Sequence, residues 1–396
     1  MTWQRKFANF FGLKKSIVAL LAMVVLVGLG EKMAERFLPI YLLALGGGVL
    51  SVGLLNAMDN LLSALYSYPG GYLSDRFGYK KALFVFNLIA MFGYLIVIFF
   101  PYWQAVIIGS VFFLSWTAIS LPATMSLVSR ALPADKRTMG VSVHSLVRRI
   151  PMALGPIIGG VMIALYGEKT GIRLAFVAAL LLGLVSLVLQ QVMIEDDPYR
   201  GKPEKRPSKL WRFMTPALKN LLVSDILIRF AEQIPYAFVV IWCMKVNSIS
   251  AIEFGVLTTI EMVTAVLVYI PVAYLADGST KKTFVVITFF NFTIFPLVLL
   301  FSHSFSMMVI AFIIRGLKEF GEPTRKALIM DLAPEDNKAG MFGLYYLVRD
   351  VIVSAAALGG AFLWQISPTV NLLAAAGCGL AGTIYFCVFG RDLKET

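Results

Sequence analysis

"SVGLLNAMDNLLSALYSYPGGYLSD" (residues 51–75) has a counterpart 200 residues further on, "IEFGVLTTIEMVTAVLVYIPVAYLAD" (residues 252–277). Gly53 aligns with Gly255, Asp59 with Glu261, Tyr72-Leu73 with Tyr274-Leu275 and Asp75 with Asp277. One residue is lost in the next loop. Beyond it Lys80-Lys81 aligns with Lys281-Lys282, Pro122 with Pro323, Pro133 with Pro334, Asp135 with Asp336, and Leu146-Val147-Arg148 with Leu347-Val348-Arg349. The offset is 202 residues before that loop and 201 beyond it. The chain therefore reads as two tandem copies of one unit.

Each copy is built for lipid. The 396 residues are 59% hydrophobic, and 15% are charged, against about 25% in a soluble domain. Apolar runs long enough to cross a hydrocarbon core of about 30 Å recur along the chain. Twelve spans are predicted: 17–45, 50–72, 82–101, 103–130, 139–166, 172–194, 219–245, 251–275, 283–302, 305–330, 339–364 and 368–390. The first run is too long for a signal-peptide core and lacks an Ala-x-Ala site, so it reads as a first transmembrane helix. The stretch 195–218, polar, basic and rich in proline, separates six spans from six. The expected domains are an N-terminal bundle (1–194), a cytoplasmic linker (195–218) and a C-terminal bundle (219–396).

The net charge of +12 follows the loops. With the N-terminus cytoplasmic, 23 of the 35 Lys and Arg fall in cytoplasmic segments or at the span ends beside them, and three in or beside the opposite loops. This is a topology signal, not a nucleic-acid footprint. The fold class is an all-α polytopic membrane protein of twelve helices in two pseudo-symmetric six-helix bundles, both termini cytoplasmic. An even number of spans per half gives the halves one orientation, a pseudo-two-fold axis along the membrane normal and a solute site near the midplane.

Nine acidic and nine basic residues lie five or more residues inside the ends of the predicted spans. An isolated charge at the bilayer centre costs about 2.5–3.5 kcal/mol on insertion scales, so equal numbers imply paired networks around a wet cavity. The acidic groups nearest mid-span are Glu31, Glu35, Asp59, Glu232, Glu261 and Glu319, the candidates for proton coupling. Glu31 and Glu232 differ by 201 residues, and Asp59 and Glu261 are repeat equivalents. Lys32, Arg36, Arg149, Arg315 and Lys318 are candidate anion ligands, because Arg grips a carboxylate with two donors and Lys acts as a point charge. Trp116, Tyr236, Tyr345 and Tyr346 are candidate walls. Asp225 and Arg325 sit near span ends, where long side chains reach the interface. His144 is either a proton relay or a core histidine.

The loop after the second span reads "GGYLSDRFGYKKAL" (70–83). It resembles the signature of the major facilitator superfamily, Gly-x-Leu-Ala-Asp-Arg-x-Gly-Arg-Lys-x-x-Leu. Gly71, Leu73, Asp75, Arg76, Gly78, Lys80 and Leu83 match; Ser74 stands for Ala and Tyr79 for the first basic residue. A degenerate copy, "VAYLADGSTKK", lies at the equivalent place in the second half. The resemblance covers the whole chain. It implies rocker-switch alternating access, spans 1, 4, 7 and 10 around the cavity, and Asp75 as a latch onto the N-terminus of span 11, with Asp277 doing likewise toward span 5. "GPIIGG" (Gly155, Pro156, Gly159, Gly160) resembles part of a motif carried by exporters of that superfamily, although Pro151 replaces its upstream Gly. It reads equally as helix packing. The span-4 Arg of many proton antiporters is absent from "FLSWTAISLP", whereas "IIRGLKEFGEP" in span 10 carries Arg315-Gly316.

No Walker loop, metal-ligand spacing, nucleophile elbow or cofactor fingerprint is visible. The three cysteines fall in apolar segments. The expectation is a monomeric, cofactor-free transporter in a bacterial inner (plasma) membrane, not an enzyme. It moves a polar, anionic or zwitterionic organic solute together with protons; the alternative is a multidrug/proton antiporter.

Overall fold

The structure, a computed structural model, describes residues 15–114, 116, 120, 124, 127, 144, 147–195, 211–277, 281–333 and 338–391. The described residues are helical, with no strand among them. In chain order the helices are α1 (Lys15–Glu35), α2 (Leu38–Ala44), α3 (Val49–Phe77), α4 (Tyr79–Phe99), α5 (Trp103–Phe113), α6 (Arg149–Met193), α7 (Pro216–Tyr236) and α8 (Val239–Ile241). A π-helical turn, Trp242–Val246, extends α8. Then come α9 (Ala251–Asp277), α10 (Lys281–Leu300), α11 (Phe305–Leu317), α12 (Glu322–Leu332), α13 (Lys338–Ile366) and α14 (Pro368–Phe389).

Nine of the described helical segments are long and apolar enough to cross a membrane. One of them, α6, is two spans. Its chain reverses at Gly167 (φ 78°, ψ 169°), a left-handed conformation that costs glycine little because it has no Cβ. The predicted span 305–330 is the pair α11 and α12. Most of the predicted span 103–130 beyond α5, the start of 139–166 and the core of the linker lie outside the described residues. Sequence-coded caps start several helices. Ser304, Ser367 and Thr215 accept hydrogen bonds from the N–H groups of Met307, Val370 and Leu218, and Pro368 and Pro216 open α14 and α7.

The surface is apolar where a soluble protein's would be polar. Leu165, Val192, Leu267 and Ile366 are each more than two-thirds exposed, while Glu31, Asp225, Glu261, Arg315, Arg325 and Arg349 are buried. This inversion suits a protein surrounded by hydrocarbon. The chain divides into two compact units, Met1–Gly47 with Leu62–Glu204, and Gly48–Leu61 with Lys205–Thr396. The first part of α3 thus groups with the second unit. There Asn56 Nδ2 donates to the Gln233 carbonyl (2.9 Å), Asn60 Nδ2 donates to Gln233 Oε1 (3.1 Å), and Gly53 lies against Ala361.

The repeat is visible in the backbone. In the first unit the helix breaks at Arg36-Phe37, and in the second at Ala237-Phe238, 201 residues later. Phe37 N–H donates to the Ala34 carbonyl and Tyr41 N–H to that of Phe37; Phe238 N–H donates to the Pro235 carbonyl and Trp242 N–H to that of Phe238. Pro39, which has no N–H to give, opens α2 just past the first break. Each broken helix is crossed by a glycine. A Cβ on Gly159 would strike the Met33 carbonyl oxygen, and one on Gly360 the Ile234 carbonyl oxygen. Both members of this contact are related by the repeat offset. Glycine lets the backbones touch where any side chain would hold them apart.

Gly360→Ala is expected to destabilise the protein by about 1–3 kcal/mol, the usual cost of overpacking. Gly359→Ala, next to it in the chain but facing open space, is expected to leave stability near wild type. Thermal unfolding of the two variants in detergent micelles provides the comparison.

Candidate functional site

The glycine crossing fixes where the charged turn of the first unit sits. A Cβ on Gly155 would lie 2.7 Å from Lys32 Cβ, and one on Gly28 2.9 Å from Pro151 Cγ. The "GPIIGG" glycines therefore press α6 against the turn that carries Glu31 and Lys32. Lys32 Nζ donates to Glu31 Oε1 (3.1 Å) and to Glu35. Glu31 and Lys32 line a cleft of about 420 Å³ with Trp116, Ser120, Thr124, His144 and Arg148. His144 and Trp116 are buried. Arg36, Asp59 and Arg149 are half-buried and have partners of their own.

A chain of hydrogen bonds leads away from this cleft. Trp116 Nε1 donates to Asn87 Oδ1 (2.8 Å), Asn87 Nδ2 to Gln190 Oε1 (2.9 Å), and Gln190 Nε2 to the Lys80 carbonyl (2.8 Å). Lys80 Nζ returns a bond to the Gln191 carbonyl (3.1 Å). A wall of the cleft is thus tied through side chains buried among helices to the signature loop. Asn87 and Gln190 escaped the sequence reading, although two amides in otherwise apolar spans are the signal that marks them. In the loop itself Gly78 has φ 85°, which explains the glycine at that position. Arg76 is exposed and donates to the Tyr72 hydroxyl (3.0 Å). The side chains of Asp75 and Asp277 lie outside the described residues.

In the second unit the charges form a ladder on α7. Asp225, Arg229 and Glu232 follow one another at helical spacing, i, i+4 and i+7. Glu232 accepts from Arg229 and from Lys318 Nζ (2.8 Å). Lys318 Nζ also lies 3.5 Å from Glu261 Oε1, and Arg315 Nε 3.4 Å from the same oxygen. Gly316 makes this possible, since a Cβ there would lie 2.6 Å from the Glu261 carbonyl oxygen. A second cavity is lined by Glu232, Val239, Asn291, Phe292, Phe295, Arg315 and Lys318. Rings of Tyr236, Phe295 and Phe312 surround the Arg315 guanidinium at 5.3–5.6 Å.

This cavity sits at a broken helix. Lys318 caps the C-terminus of α11, where the helix dipole favours a cation. Asn291 Nδ2 donates to the terminal Leu317 carbonyl (3.2 Å). After three more residues Glu322 and Pro323 open α12, an acid and a proline suited to an N-terminus. Gly321 N–H donates to Thr288 Oγ1 (2.6 Å), and a Cβ there would strike Phe284 and Thr288. Discontinuous helices at membrane depth expose backbone dipoles and occur where they line a site. The break at 318–321 was not expected from the sequence, in which only Gly321-x-Pro323 hints at it. Glu319 is half-buried within this break.

The lower end of the ladder differs from expectation. Asp225 and Arg325 do not reach the interface. They are among the least exposed residues of the protein and pair directly. Arg349 Nη1 adds a second pair to Asp225 (3.3 Å), the Tyr345 hydroxyl donates to Asp225 Oδ2 (3.0 Å), and Arg325 forks onto Glu322 (2.7 and 2.8 Å). Tyr345 is fully buried in this cluster, so its phenol closes the network. Tyr346 stacks beneath Arg349, whose guanidinium carbon is 4.2 Å from the ring centre. Three helices supply the partners, which is why spacing within one span gave no warning. Asp225→Ala leaves two buried guanidinium groups without their shared carboxylate. It is expected to cost about 3–5 kcal/mol, whereas Asp331→Asn, at the half-exposed Lys281–Asp331 pair, is expected to cost about 1 kcal/mol or less. Unfolding in micelles measures both.

Comparison with known proteins agrees with this architecture. The family profile described as Major Facilitator Superfamily matches residues 20–244 and 221–396. An uncharacterized MFS-type transporter of Methanocaldococcus jannaschii is 24% identical over 361 residues, 87% of each chain. The uncharacterized MFS-type transporter YqjV of Bacillus subtilis is 30% identical over 168 residues, 41% of this chain and 38% of its own. Among solved structures, the nucleoside transporter NupG superposes with a TM-score of 0.83 at 10% identity, covering 95% of this chain and 100% of that one. The peptide transporter POT in complex with sulfate gives 0.79 at 15% identity, covering 95% and 94%. These structural likenesses concern the fold. With its profile matched along nearly all of its length, its repeat and its broken, charge-bearing helices, the chain belongs to the major facilitator superfamily of transporters.

Proposed function

We propose that the protein is a proton-coupled secondary active transporter carrying a small polar, anionic or zwitterionic organic solute by alternating access. Its termini lie on the cytoplasmic side of a plasma membrane. The observation that carries this reading is the pairing of Glu31 with Lys32 and of Glu232 with Lys318. The two carboxylates are repeat equivalents, each two residues before the carbonyl that meets a crossing glycine. When a solute anion takes the cation, the carboxylate loses that partner and its hold on a proton changes. Solute arrival and proton uptake are then linked through one ammonium group. Packing the carboxylates beside a helix break gives them a backbone that two conformations can share.

The cargoes named for proteins of this fold range from nucleosides to peptides, so the fold does not choose among them. The charges of the two cavities do, and they favour a solute with charge of its own. The antiporter motif adds little to the alternative of drug export. Gly155 and Gly159 have a packing partner in α1, and Gly360 makes the equivalent contact in the half that lacks the motif.

In proteoliposomes, solute flux is expected to rise with an imposed pH gradient. Glu31→Gln and Glu232→Gln are each expected to remain folded and to lose the gradient-driven component; gradient dependence equal to wild type in both would overturn their proton role. Asp75→Asn is expected to slow turnover at unchanged stability, which stopped-flow uptake would report.

A further inference from the structure

The second cavity contains a guanidinium without its usual acceptors. Arg315 is 4% exposed, yet neither of its Nη nitrogens donates a hydrogen bond to any described residue. Its nearest carboxylate approach is through Nε, 3.4 Å from Glu261 Oε1, longer than the 2.7–2.9 Å of a normal charge-assisted bond. Arg325 provides the contrast in the same unit, with three bonds of 2.7–3.1 Å to Glu322 and a further one to Asp225. An unpaired polar group in a protein interior calls for an explanation, such as a water or an ion that meets it. The rings of Tyr236, Phe295 and Phe312 hold the guanidinium in place by its π-faces, contacts that leave the N–H edge available. That group lines a cavity whose other walls are Val239, Phe292, Phe295, Asn291, Lys318 and the acid Glu232.

We propose that this cavity is a carboxylate subsite, in which the paired Nη groups of Arg315 take both oxygens of a solute carboxylate, Lys318 adds a second positive charge, and the apolar wall holds a small hydrophobic body attached to that carboxylate. The planar fork of arginine matches a carboxylate in two parallel bonds. Lys318 is already shared between Glu232 and Glu261, so a carboxylate on Arg315 competes with those two acids for it. The inference deepens the transport reading and rests on it for the view that the occupant is a transported solute.

Binding is measured on the purified full chain in detergent micelles, without any gradient, by thermal unfolding in benzoate, 3-phenylpropionate, benzamide and inorganic phosphate. The carboxylates are expected to raise the melting temperature in a concentration-dependent way, because they bind the folded form, whereas benzamide and phosphate are expected to leave it unchanged. Arg315→Lys keeps the charge and loses the fork, and is expected to weaken apparent benzoate affinity about tenfold or more, the worth of one charge-assisted hydrogen bond. Because a variant can fail to fold, wild-type protein is also treated with phenylglyoxal and the modified arginines identified by mass spectrometry. Benzoate is expected to protect Arg315, and benzamide is not. No stabilisation by either carboxylate, stabilisation by phosphate as strong as by benzoate, an unchanged affinity in Arg315→Lys, or unprotected Arg315 would each overturn the proposal. The flux assay fails independently: a protein that binds benzoate through Arg315 but moves solute without regard to pH loses the proton coupling and keeps the subsite.

Discussion

Everything in this structure depends on one constraint: a charge surrounded by hydrocarbon must find its partner inside the protein. Asp225, Arg229 and Glu232 climb one face of α7; Arg229 pairs with Glu232 on the same helix, and the two acids are met by side chains from elsewhere. Arg325 and Arg349 meet Asp225, and Lys318 meets Glu232. These pairs fix the rotation of α7 about its axis, since a turn of one residue would carry both acids away from those partners. The same pairs tie α7 to both sides of the break between α11 and α12. The helix that bears the candidate coupling carboxylate is thus joined to a segment whose helix is interrupted.

The charges could not meet without close helix contact, and glycine provides it. Gly159 on Met33 and Gly360 on Ile234 are one contact made twice, once per repeat. Each brings a second helix against a broken one, two residues from Glu31 or Glu232. Beyond that contact the halves diverge. Glu31 is paired with its own neighbour Lys32, a tie made within a single turn. Glu232 has a tie within its own helix, to Arg229, and adds a lysine 86 residues away, at a helix break. Duplication supplied a symmetric frame, and the pairing within it became asymmetric. That asymmetry lets one half hold a local ion pair while the other links its acid to a cavity with an under-used arginine.

Much of the frame was legible in the chain. Apolar length gave the spans, because lipid thickness leaves little choice, and the 201-residue offset gave the repeat and the equivalence of Glu31 and Glu232. The signature loop gave the family. Other features resisted reading for identifiable reasons. Asp225 and Arg325 looked like interface residues because distance to a span end says nothing about depth once helices tilt and break. Tyr345 looked like a cavity wall because an aromatic at that depth is ambiguous until its hydroxyl finds Asp225. Asn87 and Gln190 are ordinary amides until a hydrogen-bond chain joins them.

The amino-acid sequence by itself determined that this protein crosses a membrane many times, that its two halves share one plan, and that ionisable groups are embedded in it. Those properties are set by composition and periodicity, which act locally along the chain. The tertiary structure decided which charge answers which. Arg325 is consumed by Glu322 and Asp225, whereas Arg315, ten residues earlier, keeps its fork for something else. Both are arginines in the same predicted span, and they differ only in which helices come within about 3 Å of a guanidinium. That distance is set by how the helices pack, and by the glycines that let them.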